Sequence, residues 1–400
     1  MNLKRFLSAS IVVLLLACSD NSGSGSRTVQ IGGLFSLSGG WSTLGQNGEA
    51  AMTIAIADVN DYLESTGSDI RLAMTVADTR LEPPLAVNEL KNLYATKGIR
   101  FTIGPQSSAE ITAIKEELAA KEIVMVSPGS TASSLSISGD GIFRYCPGDA
   151  IEGLALSRTM YNSGKRAMIT LSRDDVGNRG LQTSVNTHFA ELGGLVDAID
   201  PYSVSLNDYS VLLGRVKTSV ETQVRKFGTG GVGVFIASFE ELSVIFAQAA
   251  NDPVLSSVNW YGADGVVQTA PILSDPAAAG FAITTGFFAP IFGLPSDTPD
   301  ELERVAAYIK NETGLDPDAY ALSVYDAVWV IARTLTLHQG VLKDYSALID
   351  AFQFESNKYS GITGALLLDE NGDRKSGAFD YWGIVETNNG YAWSLVGKSN

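Results

Sequence analysis

The segment Gly228–Gly233 (GTGGVG) has the G-x-G-x-x-G spacing that binds the pyrophosphate of a dinucleotide. That chemistry requires the glycines to follow a strand and to open a helix, whose N-terminal N–H groups then contact the phosphates. Here the glycines instead precede an apolar segment, Val232–Ala237, that is predicted to be a strand. We interpret them as a glycine-rich connection between a helix and a strand, and we expect no cofactor.

Other candidate sites also lack part of their pattern. Asp369–Asp373 is similar to a calcium-binding loop, but Arg374 occupies a position where such a loop requires glycine. Its Asn371-Gly372 pair is typical of a turn between strands. His188 and His338 have no neighbouring Cys or His with which to hold a metal, and the sequence has no G-x-S-x-G, H-E-x-x-H or P-loop motif. We therefore expect a protein that is not an enzyme and binds no metal.

The composition excludes further classes of protein. The chain has 400 residues, of which 45% are hydrophobic and 18% charged, so it can bury more than one sizeable core. Its formal net charge of −16 excludes a general nucleic-acid binder, which needs a basic surface. Two cysteines and two histidines leave little material for a metal cluster or a disulfide framework.

Apolar runs and helical periodicity alternate along the chain and predict repeated strand–helix units. The alternation begins at Val29 and restarts after Pro147, which favours two lobes of similar size over one long sheet. Such units imply parallel sheets with helices on both faces, so the predicted fold class is α/β. The predicted strands are Val29–Leu34, Ile70–Ala77, Phe101–Ile103, Ile123–Val126, Ala167–Leu171, Val232–Ala237, Val258–Tyr261, Leu366–Leu368 and Phe379–Val385. The predicted helices are Gln46–Tyr62, Leu85–Tyr94, Ser108–Lys121, Gly180–Leu192 and Phe239–Ala250, and Asp300–Phe352 is predicted to be mostly helical.

The N-terminus is typical of an exported protein. Lys4 and Arg5 form a short positive region, and Phe6–Ala17 is an apolar run that is too short to span a membrane as a mature helix. We interpret residues 1–17 as a signal peptide.

The end of that apolar run resembles the bacterial lipobox, in which a small residue precedes a cysteine that becomes the lipidated first residue. Leu15-Leu16-Ala17-Cys18 carries the resemblance, and the alternative is that Cys18 is an unmodified cysteine in an apolar stretch. Residues 18–26 then form a lipid-anchored tether rich in Ser and Gly. The expected location is the bacterial cell envelope, on its periplasmic or extracellular face. Cys146 is left without a partner and is expected to be a small buried residue.

Three segments resemble the periplasmic leucine/isoleucine/valine-binding protein family. They are VQIGGLFSLSGGWSTLGQNGEAAMTIAIADVN at 29–60, IGPQSSAEITAIKEELAAKEIVMVSPGSTASSL at 103–135 and NWYGADG at 259–265. The second resembles the G-x-x-x-S helix start and the S-P-x-x-T loop of the family, and the third resembles its G-x-[DE]-G. The resemblance implies two Rossmann-like lobes joined by a three-crossover hinge, the type I periplasmic-binding-protein fold. We expect a first lobe of residues 27–145 and 287–372 and a second lobe of residues 146–286 and 373–400.

The same resemblance implies a ligand cleft between the lobes. Ser108 matches the serine that binds a ligand carboxylate, and Thr131 matches the threonine of the S-P-x-x-T loop. Gly129 matches the position whose carbonyl accepts from a ligand ammonium, and Asp264 matches the acidic counter-ion of that ammonium. Ser108 is also expected at a helix N-terminus, where free N–H groups favour an anion. The alternatives are that Ser108 only caps a helix and that Asp264 is only a turn residue.

The remaining implied site residues surround the ligand side chain. Phe239 matches an aromatic residue after a second-lobe strand, and Trp41 and Leu44 lie in the first-lobe loop that covers the ligand. Val176 occupies a position that is often aromatic in the family, which leaves the side-chain pocket open. The alternative for Trp41 and Phe239 is that they only pack in the protein.

The resulting hypothesis is a monomeric solute-binding lipoprotein that captures an amino acid or a similar small zwitterion and delivers it to an ABC importer. Its expected partners are the small-molecule ligand, an ABC permease and, through Cys18, the lipid of a membrane, with no nucleic acid. Three alternatives stay open. One is a sensor that reports ligand occupancy to a membrane receptor, and another is a binder of a small ligand that is not an amino acid, such as an aromatic acid. The third is an enzyme, which the lack of a nucleophile–base pair or a metal set in the sequence disfavours.

Overall fold

The computed structural model describes residues 26–203, 205–295, 300–338 and 340–399. The predicted signal peptide, the predicted lipidation site Cys18 and most of the predicted tether lie outside the described residues. The described chain forms a six-stranded sheet, a seven-stranded sheet and a short two-stranded ribbon. Within these ranges, no helix is both long enough and apolar enough to traverse a bilayer.

The central strands are short, apolar and buried, as expected for parallel sheets that helices cover on both faces. The strands are β1 (Arg27–Phe35), β2 (Ile70–Asp78), β3 (Phe101–Ile103), β4 (Val124–Ser127), β5 (Ile142–Pro147), β6 (Ala167–Ser172), β7 (Leu195–Ala198), β8 (Val232–Ala237), β9 (Asn259–Gly262), β10 (Phe288–Phe292), β11 (Ser360–Gly361), β12 (Gly364–Ala365), β13 (Asp373–Arg374), β14 (Phe379–Thr387) and β15 (Gly390–Lys398).

Local sequence signals set several helix ends. Pro83 begins the second helix, and Gly98 ends it in the left-handed conformation (φ 61°) that glycine adopts without strain. The helices are α1 (Ser42–Ser65), α2 (Pro83–Lys97), α3 (Ser108–Ala120), α4 (Asp149–Asn162), α5 (Val176–Glu191), α6 (Ser210–Phe227), α7 (Leu242–Ala249), α8 (Pro271–Ser274), α9 (Pro276–Thr284), α10 (Asp300–Thr313), α11 (Ala319–Leu337) and α12 (Tyr345–Lys358).

The strand order creates a switch point at the carboxyl ends of the strands in each sheet. The first sheet has the order β13-β5-β4-β3-β1-β2, and the second has the order β15-β14-β10-β9-β8-β6-β7. In the first sheet β1 pairs in parallel with β2 on one side and β3 on the other, and in the second sheet β6 lies between β7 and β8 in the same way. Ligands of open α/β sheets bind beyond the carboxyl ends of the strands at such switch points.

The chain passes between the two sheets three times, after β5, after β10 and after β13. The predicted α/β fold of two lobes joined by three crossings is therefore confirmed.

The structure corrects two of the predicted lobe boundaries. Residues 288–292, predicted in the first lobe, form β10 of the second sheet, where Phe288 packs its ring against those of Tyr261 and Tyr381. Residues 373–374, predicted in the second lobe, form β13 of the first sheet, because the Asp373 carboxylate pairs with the buried guanidinium of Arg144 on β5. The second crossing therefore follows residue 292, and the third follows residue 374.

Candidate functional site

A narrow cleft lies between the two sheets at the carboxyl ends of their strands. The cavity between its walls has a volume of about 20 Å³. Six of the eight residues predicted to bind a ligand line it, namely Trp41, Ser108, Gly129 and Thr131 from the first lobe and Phe239 and Asp264 from the second. Ser107, Asp175, Gly177, Asn178 and Leu181 complete the lining.

Ser108 is available to the cleft because its neighbour caps the helix. The N-cap of α3 is Ser107, whose hydroxyl accepts from the backbone N–H of Glu110 while the Glu110 carboxylate accepts from the backbone N–H of Ser107. The Ser108 hydroxyl lies 2.8 Å from that of Ser130 and accepts from the backbone N–H of Ala132 (3.2 Å). Ser108 is therefore the first residue of the helix, next to its positive end, and not its cap.

A second helix N-terminus faces Ser108 from the other lobe. The Asp175 side chain caps α5 by accepting from the backbone N–H of Asn178 (2.9 Å). Gly177, in the first turn of α5, lies so close to Ser108 that a side chain there would have its Cβ 3.3 Å from Ser108 Oγ. The positive ends of α3 and α5 thus converge on one point of the cleft, which suits a carboxylate.

The sequence analysis did not find Gly177, Asn178 or Leu181. The available signal was the Asp175 cap, which marks the start of α5. Positions 177, 178 and 181 share one side of a helix, and the structure places that side at the cleft.

The loop after β4, which carries Gly129 and Thr131, is held by buried groups. The guanidinium of Arg144 donates to the carbonyl of Ala132 (2.6 Å) and pairs with Asp373. The backbone N–H of Asp149 donates to the carbonyl of Thr131 (2.9 Å). A Cβ at Gly129 would lie 3.1 Å from the Trp41 ring and 3.3 Å from the Tyr320 ring, so a larger residue would crowd both aromatic rings.

The second lobe brings a buried carboxylate to the cleft. Asp264 follows β9 and is 8% exposed. The backbone N–H of Gly265 donates to one carboxylate oxygen (2.8 Å), and the hydroxyl of Tyr320, from the first lobe, donates to the other in a short hydrogen bond. Burial raises the pKa of Asp264 above its ordinary value. Asp264 therefore takes part in a turn and also lines the cleft, where an ammonium group would compensate its charge.

Two further buried carboxyl groups, which the sequence analysis did not find, lie behind Asp264 on α4. Glu152 accepts from the backbone N–H of Asp264 (3.3 Å) through one oxygen. Its other oxygen and both oxygens of Asp149 have no hydrogen-bond partner among the described residues. Burial raises the pKa of Asp149 to about 7, and burial with the charges of Asp264 and Asp149 raises that of Glu152. The three carboxyl groups of Asp264, Glu152 and Asp149 thus favour a bound cation.

Two aromatic rings from different lobes close the cleft. The rings of Trp41 and Phe239 are stacked with their centroids 4.3 Å apart and their planes 17° from parallel. The guanidinium of Arg173 lies 5.1 Å from the centroid of the Phe239 ring, and it is paired with Asp175 (2.9 Å) and Glu241 (3.2 Å). An apolar or flat ligand group would contact the aromatic pair.

The structure corrects two predicted side-chain contacts. Leu44 is the third residue of α1, is buried in the protein core and is not among the residues that line the cleft. Val176 is the first residue of α5, and it packs against an apolar cluster of the first lobe that includes Ile111 and Leu135. Helix geometry turns residues 177, 178 and 181 toward the cleft instead, because successive residues point about 100° apart.

Ser108→Ala should weaken the binding of a ligand carboxylate by about 1 to 2 kcal/mol, because one hydroxyl is lost while the helix N–H groups remain. Isothermal calorimetry, with a ligand identified by a thermal-shift screen of small molecules, measures this change in binding free energy. Thr112→Ala is a matched control, since the Thr112 hydroxyl donates to the carbonyl of Ser108 (2.7 Å) and does not line the cleft. Equal affinities of Ser108→Ala and the parent protein would place the carboxylate elsewhere.

Residues 47–387 match the family model described as the receptor family ligand binding region. This chain belongs to that family. The uncharacterized protein MJ1266 of Methanocaldococcus jannaschii is 30% identical over an alignment of 412 positions, which covers 96% of this chain and 94% of the relative. The Leu/Ile/Val-binding protein homolog 1 of Brucella suis is 26% identical over 324 residues, 80% of this chain and 81% of the relative.

Solved structures agree with this membership of the receptor ligand-binding family. The substrate-binding protein LivJ of a branched-chain amino acid transporter from Streptococcus pneumoniae, in complex with isoleucine, has a TM-score of 0.73 at 16% identity and covers 92% of this chain and 99% of its own. A solute-binding protein of an ABC transporter from Rhodopseudomonas palustris, in complex with 3,4-dihydroxy benzoic acid, has a TM-score of 0.72 at 14% identity and covers 93% and 97%. The chain has the type I periplasmic-binding-protein fold, and the resemblance to the leucine/isoleucine/valine-binding proteins is confirmed.

Proposed function

We propose that the protein is an extracytoplasmic solute-binding lipoprotein that captures an amino acid or a similar small zwitterion between its lobes and delivers it to an ABC importer. One observation carries this proposal: the N-termini of two helices and a buried carboxylate line one cleft, which therefore offers groups that suit both charges of a zwitterion. The proposed anion site is the meeting of α3 and α5 at Ser108, and the proposed cation site is Asp264. Relatives and structural neighbours that are named as binding proteins support a role without catalysis.

Each lobe supplies part of both sites. Ser108, Gly129 and Thr131 belong to the first lobe, and Gly177 and Asp264 belong to the second, so a zwitterion completes its contacts when the lobes close. A ligand that binds the closed form better than the open form shifts the equilibrium between them. The permease would then recognise the closed form with its cargo.

An aromatic acid is the second candidate ligand. The stacked rings of Trp41 and Phe239 favour a flat group, and the Rhodopseudomonas palustris neighbour was solved with such an acid. The charges of the cleft argue against it. A ligand without an ammonium leaves the buried Asp264 uncompensated. The lack of Lys, Arg and His among the described residues that line the cleft bears equally on both candidates, because both carry a carboxylate.

A thermal-shift screen tests the proposal. The twenty L-amino acids form one set, and benzoate, 4-hydroxybenzoate and 3,4-dihydroxybenzoate form the other. Stabilisation by an amino acid, with none by the benzoates, is the expected result, because binding to the native state raises the melting temperature. Stabilisation by the benzoates alone would replace the amino acid with an aromatic acid. Uptake of the same ligand by cells with and without the protein separates transport from sensing.

Cys18→Ala should abolish membrane attachment. The short apolar run that ends in Leu-Leu-Ala-Cys motivates this prediction, and Cys18 lies outside the described residues. Partitioning into detergent measures attachment. Cys146→Ala is the matched control, because Cys146 is buried and should leave attachment unchanged. A Cys18→Ala protein that is cleaved and still partitions like the parent would contradict a lipid anchor at this residue.

A further inference from the structure

The helix α1 of the first lobe lacks a cap of its own. Its N-cap residue, Trp41, provides no side-chain hydrogen bond and adopts the left-handed conformation (φ 57°), which is uncommon for a residue other than glycine. The first N–H groups of a helix have no partner within the helix and need one elsewhere. The partner of the N–H groups of Ser42 and Thr43 comes from the other lobe.

That partner is the carboxylate of Glu240, which follows β8 in the second lobe. One of its oxygens accepts from the backbone N–H of Ser42 (3.4 Å), and the other accepts from the backbone N–H (3.2 Å) and the hydroxyl (2.8 Å) of Thr43. The same hydroxyl accepts from the backbone N–H of Ala270, also in the second lobe (3.3 Å). A negative charge of the second lobe therefore lies at the positive end of a 24-residue helix of the first lobe.

We infer that Glu240 is a lobe-closing residue, which sets ligand affinity by stabilising the closed form and does not itself contact the ligand. Glu240 does not line the cleft, but it adjoins Phe239, whose stacking on Trp41 also joins the lobes. The hydrogen bond from Tyr320 to Asp264 is a third contact between them. All three contacts are made by protein groups alone, so they favour the closed form whether or not a ligand is bound.

The fraction of protein in the closed form sets the measured ligand affinity. When only the closed form binds ligand tightly, the apparent dissociation constant equals the intrinsic constant divided by the closed fraction. Removing the Glu240 carboxylate leaves two N–H groups of α1 without a cap in the closed form, and water can serve them in the open form. The change therefore destabilises the closed form more than the open form.

Small-angle X-ray scattering of the ligand-free protein tests this inference. Glu240→Ala should increase the radius of gyration relative to the parent, and Glu240→Gln, which keeps acceptor oxygen but no charge, should give an intermediate value. Thr43→Val removes the hydroxyl that links Glu240 to Ala270 and should act in the same direction. Because this measurement uses no ligand, its result does not depend on the amino-acid proposal.

Asp275→Ala is the matched control. Asp275 caps α9 by accepting from the backbone N–H groups of Ala277 (2.9 Å) and Ala278 (3.2 Å), all within the second lobe. It should leave the radius of gyration unchanged. For a ligand that the thermal-shift screen identifies, Glu240→Ala should weaken binding by roughly fivefold to thirtyfold, the factor that loss of a helix cap implies. A ligand-free Glu240→Ala protein that scatters like the parent would overturn the inference.

Discussion

Asp264→Asn should weaken amino-acid binding by roughly 2 to 5 kcal/mol, the range for truncating one partner of a buried charge pair. The substitution keeps the shape of the side chain and an oxygen that can accept from Tyr320, but it removes the charge. An ammonium bound in the closed cleft then loses its counter-ion in surroundings where water cannot replace it. Calorimetry on the parent and the variant with the same amino acid measures the difference.

Asp174→Asn is the control for this charge change. Asp174 is exposed, pairs with Arg179 (2.9 Å) and lies in the second lobe beside the Asp175 cap of α5, so its loss should alter binding little. If Asp264→Asn binds as tightly as the parent protein, the ligand carries no ammonium at that place. An aromatic acid or another anion would then become the leading candidate.

Amino-acid affinity should increase as the pH rises from about 5 to 7. Burial raises the pKa values of Asp264, Glu152 and Asp149 in the ligand-free protein, so these groups hold protons there that free carboxyl groups would release. A bound ammonium favours their ionised forms and lowers those pKa values, so binding releases protons. Each proton released makes affinity up to about tenfold greater per pH unit. Other titratable groups near this cluster are Tyr320, Cys146, Asp318, Tyr381 and Arg144, which is paired with Asp373.

Folding stability has the opposite pH dependence: the contribution of these carboxyl groups decreases as the pH rises. A carboxyl group with a raised folded-state pKa stabilises the fold below its unfolded pKa of about 4, and this contribution is lost as the pH rises through the folded value. For Asp149 that value is about 7.

The pH dependence of binding is tested by calorimetry in buffers of different ionisation enthalpy, which counts the protons released when the amino acid binds. Glu152→Gln removes one titrating group and should flatten the pH profile, whereas an affinity independent of pH in the parent would contradict coupling between this cluster and the ligand.

The sequence predicted the fold well because its signals are local. Apolar runs such as Val232–Ala237 are strands in the structure, and the glycines before them connect a helix to a strand, as expected. The short strands at the crossings were not recognised. The Pro290 within β10 is an unusual strand residue, and the two residues of β13 belong to the first sheet through the Arg144–Asp373 pair, a contact across 229 positions of the chain.

The candidate site was predicted in part, for a similar reason. Ser108, Thr131 and Asp264 follow strands in recognisable loops, so their place at the cleft could be anticipated. Glu152 and Asp149 lie on a helix, and nothing in their local sequence shows that they are buried beside Asp264. The interlobe partners of Glu240 and Tyr320 likewise depend on the closed arrangement of the lobes, which no local pattern encodes.

The bond network around Arg144 has a consequence for the thermodynamics of binding. Its guanidinium connects β5 to the Asp373 carboxylate on β13 and to the carbonyl of Ala132. The thiol of Cys146 donates to the carbonyl of Ser130 (3.3 Å). The loop that presents Gly129 and Thr131 is thus preorganised by the protein itself. A ligand that reaches the first lobe has little backbone to order there, so the entropic cost of association falls chiefly on the rotation of one lobe toward the other.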